Sequence, residues 1–165
     1  MLKTIIAISG TPGVGKSTLA KSLSQKLGLE RLDLHEHYKE ISGGYDRSKQ
    51  CYNIDLKKFT SFVKKKIKKS EKGFIIDTHI SHLLSKKIVD LCIVLTCSDL
   101  KELEKRLKKR KYSSKKIREN LDAEIFQICL IEAKEKKHNL LSIDTAKKIT
   151  FEKIFNQVKK RLKGI

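Results

Sequence analysis

The nine residues "GTPGVGKST", Gly10 to Thr18, constrain this chain's fold more than any other stretch. They satisfy GxxxxGK[ST] through Gly10, Gly15, Lys16 and Ser17. Glycines let the backbone curl until several N–H groups converge on phosphate oxygens. Lys16 brings a point charge to the β and γ phosphates, and the Ser17 hydroxyl can ligate Mg2+. Such a loop needs a strand before it and the positive end of a helix after it. "KTIIAIS", Lys3 to Ser9, is a short apolar run stopped by glycine, which predicts a buried strand. Lys16 to Leu27 predicts a helix, with Leu19, Leu23 and Leu27 in line and Gly28 past its end. The stretch therefore marks a nucleotide site made of Gly10, Thr11, Pro12, Gly13, Val14, Gly15, Lys16, Ser17 and Thr18. Neither the NKxD and DxxG stretches of guanine switches nor a GxGxxG fingerprint accompanies it.

The remaining chain repeats the strand-then-helix pattern. "RLDL" predicts a second strand, and polar residues 35–54, with Gly43 and Gly44, an irregular or short-helical insertion. Leu56, Phe59, Val63 and Ile67 form one helical stripe, with Lys57, Lys58, Lys64, Lys65 and Lys68 off it. Strands are expected at Phe74–Asp77, Val89–Cys97 and "NLLSID". Helices are expected over Asp99–Lys109, along Ile117, Leu121, Ile125 and Cys129 after the basic break "KKRKYSSKK", and over Phe151–Leu162. Strands alternating with helices imply an α/β fold with a parallel sheet covered on both faces. At 165 residues a single domain, 1–165, is expected. No signal peptide, membrane helix or CxxC pair is read, so an intracellular, reducing compartment is expected, cytoplasmic or, in a eukaryote, nuclear.

A second stretch, "FIIDTHISH", ends an apolar strand in Asp77 and places His79 two positions on. A phosphate loop needs an acid at a strand end to hold Mg2+, and ligands gather at the carboxyl ends of parallel strands. Asp77 takes that part; Asp33 is expected inside its strand, and Asp90 at the start of one. His79 could orient an attacking water or sense a γ-phosphate, or be an ordinary hydrogen-bonded loop histidine. An imidazole near its reference pKa would also change charge between pH 6 and 8, at about 6.5. His35, His37 and His82 lack a cysteine or acid at zinc-site spacing.

Charge adds a separate constraint. Lys plus Arg is 38 against 19 acids, a formal net of +19. Such a chain is drawn to RNA, DNA or phosphorylated ligands; lysine enrichment from codon bias is the alternative. Only six arginines occur, at 31, 47, 106, 110, 118 and 161, few for gripping two nucleotides bidentately.

Taken together, "GTPGVGKST", "GGYD" (Gly43 to Asp46), "DTH" (Asp77 to His79) and "RKYSSKKIRENLDAEIFQ" (Arg110 to Gln127) resemble the adenylate kinase isoenzyme 6 family, also studied as a ribosome-maturation ATPase. The resemblance spans nearly the whole chain. It implies the P-loop fold of nucleoside monophosphate kinases: a five-stranded parallel sheet, a monophosphate-binding insertion at about 30–53 and a lid at about 108–118. It implies ATP and Mg2+ as cofactors, AMP or another nucleoside monophosphate as acceptor, and ATPase activity. Lys16, Asp77, His79 and Arg110 match its catalytic positions, Arg110 being the lid arginine that contacts ATP. Ser17 and Asp77 match its metal positions. It also implies partners in the small ribosomal subunit: the platform protein, ribosomal protein S-eleven, and ribosomal RNA of the maturing particle. One departure is visible: a glycine usually precedes the lid tyrosine, where this chain has Lys111.

Overall fold

Ile5–Ser9, five residues buried without a break, form the central strand β1. The computed structural model describes residues 3–163. After β1 come α1 (Lys16–Leu27), β2 (Glu30–Asp33), a 3-10 turn at Leu34–His37, α2 (Tyr38–Ile41), β3 (Ser42–Asp46) and β4 (Cys51–Ile54). Then follow α3 (Leu56–Lys69), β5 (Phe74–Asp77), a 3-10 turn at Ser81–Leu83, β6 (Leu91–Thr96), α4 (Leu100–Lys109), α5 (Ser114–Ile125), α6 (Ile128–Glu135), β7 (Leu140–Asp144) and α7 (Phe151–Leu162).

Five strands make one parallel sheet in the order β2-β5-β1-β6-β7. Alternation along β1 divides the core into two layers, as a pleated strand requires. Ile6 and Ile8 pack with Leu23 of α1, Leu103 of α4 and Val158 of α7. Ile5 and Ala7 pack on the other face with Phe59 and Val63 of α3 and Ala133 of α6. From β1 the chain runs to β2 and β5 on one flank and then crosses to β6 and β7 on the other. That arrangement opens a crevice at the carboxyl end of β1, where ligands of parallel sheets bind.

Helix starts reflect local chemistry. Asp55, Asp99, Ser113 and Thr150 each accept backbone N–H bonds at the heads of α3, α4, α5 and α7. By contrast α1 has Gly15 in the left-handed region and no side-chain cap, so its first N–H groups stay free for a ligand.

Three expectations are corrected. The first strand begins at Ile5 rather than Lys3. The insertion is more ordered than its polar composition suggests: besides the turn and α2 it holds an antiparallel hairpin, β3 on β4. The long helix through Cys129 is broken into α5 and α6 by Gln127, at φ 50°. Among the described residues, no helix is long and apolar enough to cross a membrane.

Candidate nucleotide-binding site

Gly10 begins the phosphate loop where no other residue fits. Its φ is 140°, and a Cβ there would lie 2.4 Å from the Leu95 carbonyl oxygen. The loop thus lies against the end of β6 before turning into α1. Lys16 folds back over it, donating from Nζ to the carbonyls of Gly10 at 2.7 Å and Thr11 at 3.0 Å. Burial pushes the Lys16 pKa down to about 8, against the opposing pull of neighbours that include Asp77. Ser17 and Thr18 are exposed on the first turn of α1.

Asp77 ends β5 and is 1% exposed. Arg31 on β2 donates to its Oδ2 twice, from Nε at 3.1 Å and Nη2 at 2.5 Å. Its Oδ1 is buried with no partner. The competing acids separate differently from the expectation. Asp33 is the last residue of β2, not an interior one, and stands in register with Asp77. Both its oxygens are engaged, Oδ2 by Arg31 at 2.7 Å and Oδ1 by the backbone N–H and ring of His35. Asp90 caps the amino end of β1, accepting from the Ile5 N–H at 2.7 Å. Only Asp77, of the three, keeps a free oxygen at the crevice. That orphaned carboxylate oxygen is a donor that fits Mg2+, a cation held by one or two protein oxygens with phosphates and waters completing it. Among the described residues, no cluster of three His, Cys, Asp or Glu forms a metal cage.

His79 lies on the wall of a cleft of about 390 Å³ that it shares with Pro12, Lys16, Arg110, Tyr112 and Lys116. Burial pushes its pKa down to about 4, with the Lys16 charge acting in the same sense. The expectation that it changes charge between pH 6 and 8 is therefore corrected: the ring is neutral throughout that range.

Arg110 follows α4 directly, and the turn after it passes through Lys111, whose φ is 57°. The left-handed conformation that glycine would supply is thus adopted by lysine. The segment after Arg110 touches the turn between β3 and β4 across the cleft. Ser113 N–H donates to Gln50 Oε1 at 3.0 Å, and Lys116 Nζ donates to the Gln50 carbonyl.

Sequence reasoning missed the aromatic wall. All four tyrosines of the chain, at 38, 45, 52 and 112, line this cleft. Tyr38 stacks on Tyr52 at 4.9 Å, and Tyr45 meets Tyr52 edge-on at 5.0 Å. Three tyrosines in fifteen residues of a polar insertion were the available signal. Arg31, Glu124 and His82 were also missed; no motif marks them.

The comparisons agree with this geometry. A family model described as "AAA domain" matches residues 6–127. The chain is 37% identical to a Methanocaldococcus jannaschii protein named "Putative adenylate kinase", over 97% of this chain and 90% of that one. It is 41% identical to the "Adenylate kinase isoenzyme 6 homolog" of Schizosaccharomyces pombe, over 79% of this chain and 74% of that one. Among solved structures, the Bacillus subtilis YorR protein in complex with phosphorylated GDP superposes with a TM-score of 0.60 at 17% identity, covering 97% of this chain and 96% of that one. Deoxyadenosine kinase from M. mycoides superposes with a TM-score of 0.56 at 19% identity, covering 98% and 100%. At those identities the structural likeness speaks for the fold alone. With a P-loop fold and relatives matched along most of its length, the chain belongs to the adenylate kinase isoenzyme 6 family and its archaeal relatives, within the AAA-domain P-loop proteins.

Proposed function

We propose that this protein is a broad-specificity nucleoside monophosphate kinase, converting ATP and AMP to two ADP, with ATPase activity when water takes the acceptor's place. One observation carries the reading: Lys16, His79 and Arg110 share a cleft with a wall of tyrosines contributed by the insertion. An acceptor phosphate oxygen attacks the γ-phosphorus, and the bond to the β–γ bridging oxygen breaks. Lys16 leaves its loop carbonyls for the β and γ oxygens, and Arg110 reaches the same charge from the lid. Asp77 Oδ1 and the Ser17 hydroxyl would hold Mg2+, which when bound neutralises phosphate charge. Residues 10–18 wrap the phosphates with backbone N–H groups. Neutral His79 orients the attacking group, water included. The faces of Tyr38, Tyr45 and Tyr52 stack an acceptor base, a contact tolerant of base identity because every base has a π-face. ATP use and four free thiols fit a cytoplasmic setting. The test is ADP formation from ATP with each of the four nucleoside monophosphates; comparable rates with several support broad choice, and activity with none overturns it.

A second reading stands beside the first: an ATPase that chaperones the small-subunit platform protein S-eleven and contacts ribosomal RNA. It is favoured by the net charge of +19 and by α3, whose seven lysines include no acid between them. Lys3, Lys64, Lys65, Lys68 and Lys87 line a groove of about 770 Å³ at the amino ends of the strands. That is the pole opposite the nucleotide cleft, so both sites can be filled together. RNA binding measured by anisotropy should weaken steeply between about 50 and 200 mM salt. If charge reversal at Lys64, Lys65 and Lys68 leaves that slope unchanged, the lysines are background.

A further inference from the structure

Glu124 is a buried carboxylate, 7% exposed, and among the described residues no lysine or arginine forms an ion pair with it. Its two oxygens are nonetheless both used. Oε2 accepts from the Thr11 hydroxyl at 2.5 Å, and Oε1 accepts from the Cys97 N–H at 2.6 Å. Thr11 belongs to the phosphate loop, and its carbonyl is one of the two that hold the Lys16 ammonium. Cys97 directly follows β6, the strand against which Gly10 is pressed. One side chain thus fastens the loop to the sheet edge beside it.

The same short segment reaches the other phosphate-facing loop. Gln127, in the left-handed region, ends α5 and redirects the chain into α6. Cys129 then lies 3.9 Å from the His79 carbonyl. Glu132, one turn on, accepts from His82 Nε2 at 2.7 Å. His82 Nδ1 lies 2.6 Å from Ser9 Oγ and the His79 carbonyl 3.0 Å from the same oxygen, so the one hydroxyl hydrogen is shared between ring nitrogen and carbonyl. Ser9, in turn, is the residue before Gly10. The Glu132 carboxylate at the far end of this chain is 42% exposed, while its middle is buried, His82 itself being 2% exposed. In such surroundings a hydrogen bond to an ionised group is strong, and its loss leaves a buried partner unsatisfied.

We propose that residues 124–132 form a positioning joint with two arms: Glu124 sets the phosphate loop for nucleotide binding, and the Glu132–His82–Ser9 chain sets the His79 backbone for turnover. Neither arm touches the reacting atoms. The inference rests on the nucleotide-binding part of the reading above and assigns parts to residues outside that machinery.

The arms are separable by measurement. Loss of one hydrogen bond to a buried carboxylate should weaken ATP binding by about 10- to 100-fold. Calorimetry with ATP on Glu124→Gln, Thr11→Val and the double variant closes a cycle; the expected effects are strongly non-additive, because each single change breaks the same bond. Glu132→Gln should lower kcat while leaving ATP affinity near that of the wild type. Melting temperatures run alongside, and should Glu124→Gln fail to fold, Thr11→Val alone carries the affinity test for that arm. Unchanged ATP affinity in Thr11→Val, additive effects in the cycle, or an unchanged kcat in a Glu132→Gln protein with a lowered melting temperature would each overturn the joint. A wild-type protein that binds no ATP would instead defeat the nucleotide reading itself.

Discussion

Arg31 and Asp77 meet across adjacent parallel strands, and the guanidinium closes on a single oxygen, Oδ2, leaving Oδ1 buried and free. The pair is asymmetric in consequence. Arg31 fixes the carboxylate's orientation; the free oxygen is what a cation can use. Asp77→Asn should abolish magnesium-dependent turnover while the fold persists. Arg31→Met should retain part of the activity but demand more magnesium, since an unheld carboxylate is a poorer ligand. Equal loss in both, with no change in the magnesium requirement, would make Asp77 structural.

His79 should separate binding from chemistry. The ring is neutral and sits on the cleft wall, so His79→Ala should leave ATP affinity nearly intact. Hydrolysis should fall by about 100-fold or more, the scale of a positioned proton-handling group. Calorimetry beside a steady-state assay checks this; losses of affinity and turnover in equal measure would contradict it.

Lys16 makes a prediction about pH. Its amine in the folded protein gives up its proton at about 8 rather than at the ordinary 10.5, because it is buried. The unfolded chain therefore binds more protons between those values, and the stability of the nucleotide-free protein rises across that window. Bound phosphates favour the charged amine. Binding of ATP just above pH 8 should thus take up a proton, and affinity should fall as pH rises further. Calorimetry in two buffers of different ionisation enthalpy measures the uptake; zero uptake would refute the assignment.

The lid offers one test of activity and one of stability. Arg110→Ala should lower turnover by about 10- to 1000-fold, up to the lower range for an arginine that stabilises transferring phosphate. Lys111→Gly should raise the unfolding free energy by about 1 kcal/mol or less, because relief of a left-handed lysine slightly exceeds the entropy that glycine adds to the unfolded chain. A destabilised Lys111→Gly protein, measured by denaturant titration, would mean that the turn is held by contacts of that lysine.

Much of this arrangement was legible in the residues themselves. The phosphate loop could be read because its glycines and lysine are fixed by the shape of a phosphate, and the strand and helix around it are apolar and periodic. Asp77 could be read because a lone acid ends a buried run. What stayed hidden depends on contacts far apart in sequence. Arg31 lies 46 residues from Asp77, and Glu124 lies 113 residues from Thr11. Asp33 looked interior because strand ends are set by pairing with the neighbour, not by the residue alone. The break at Gln127 was invisible because nothing in a helical stripe announces a left-handed residue other than glycine or asparagine. The charge state of His79 followed from burial, which spacing does not reveal.

The central claim is phosphoryl transfer from ATP to a nucleoside monophosphate at the Lys16 cleft. Purified protein with ATP, AMP and Mg2+ should form two ADP for each ATP consumed, faster than it releases phosphate from ATP alone, and Lys16→Ala should do neither while remaining folded. ADP formation that AMP does not accelerate, or a folded Lys16→Ala protein with wild-type turnover, would contradict it.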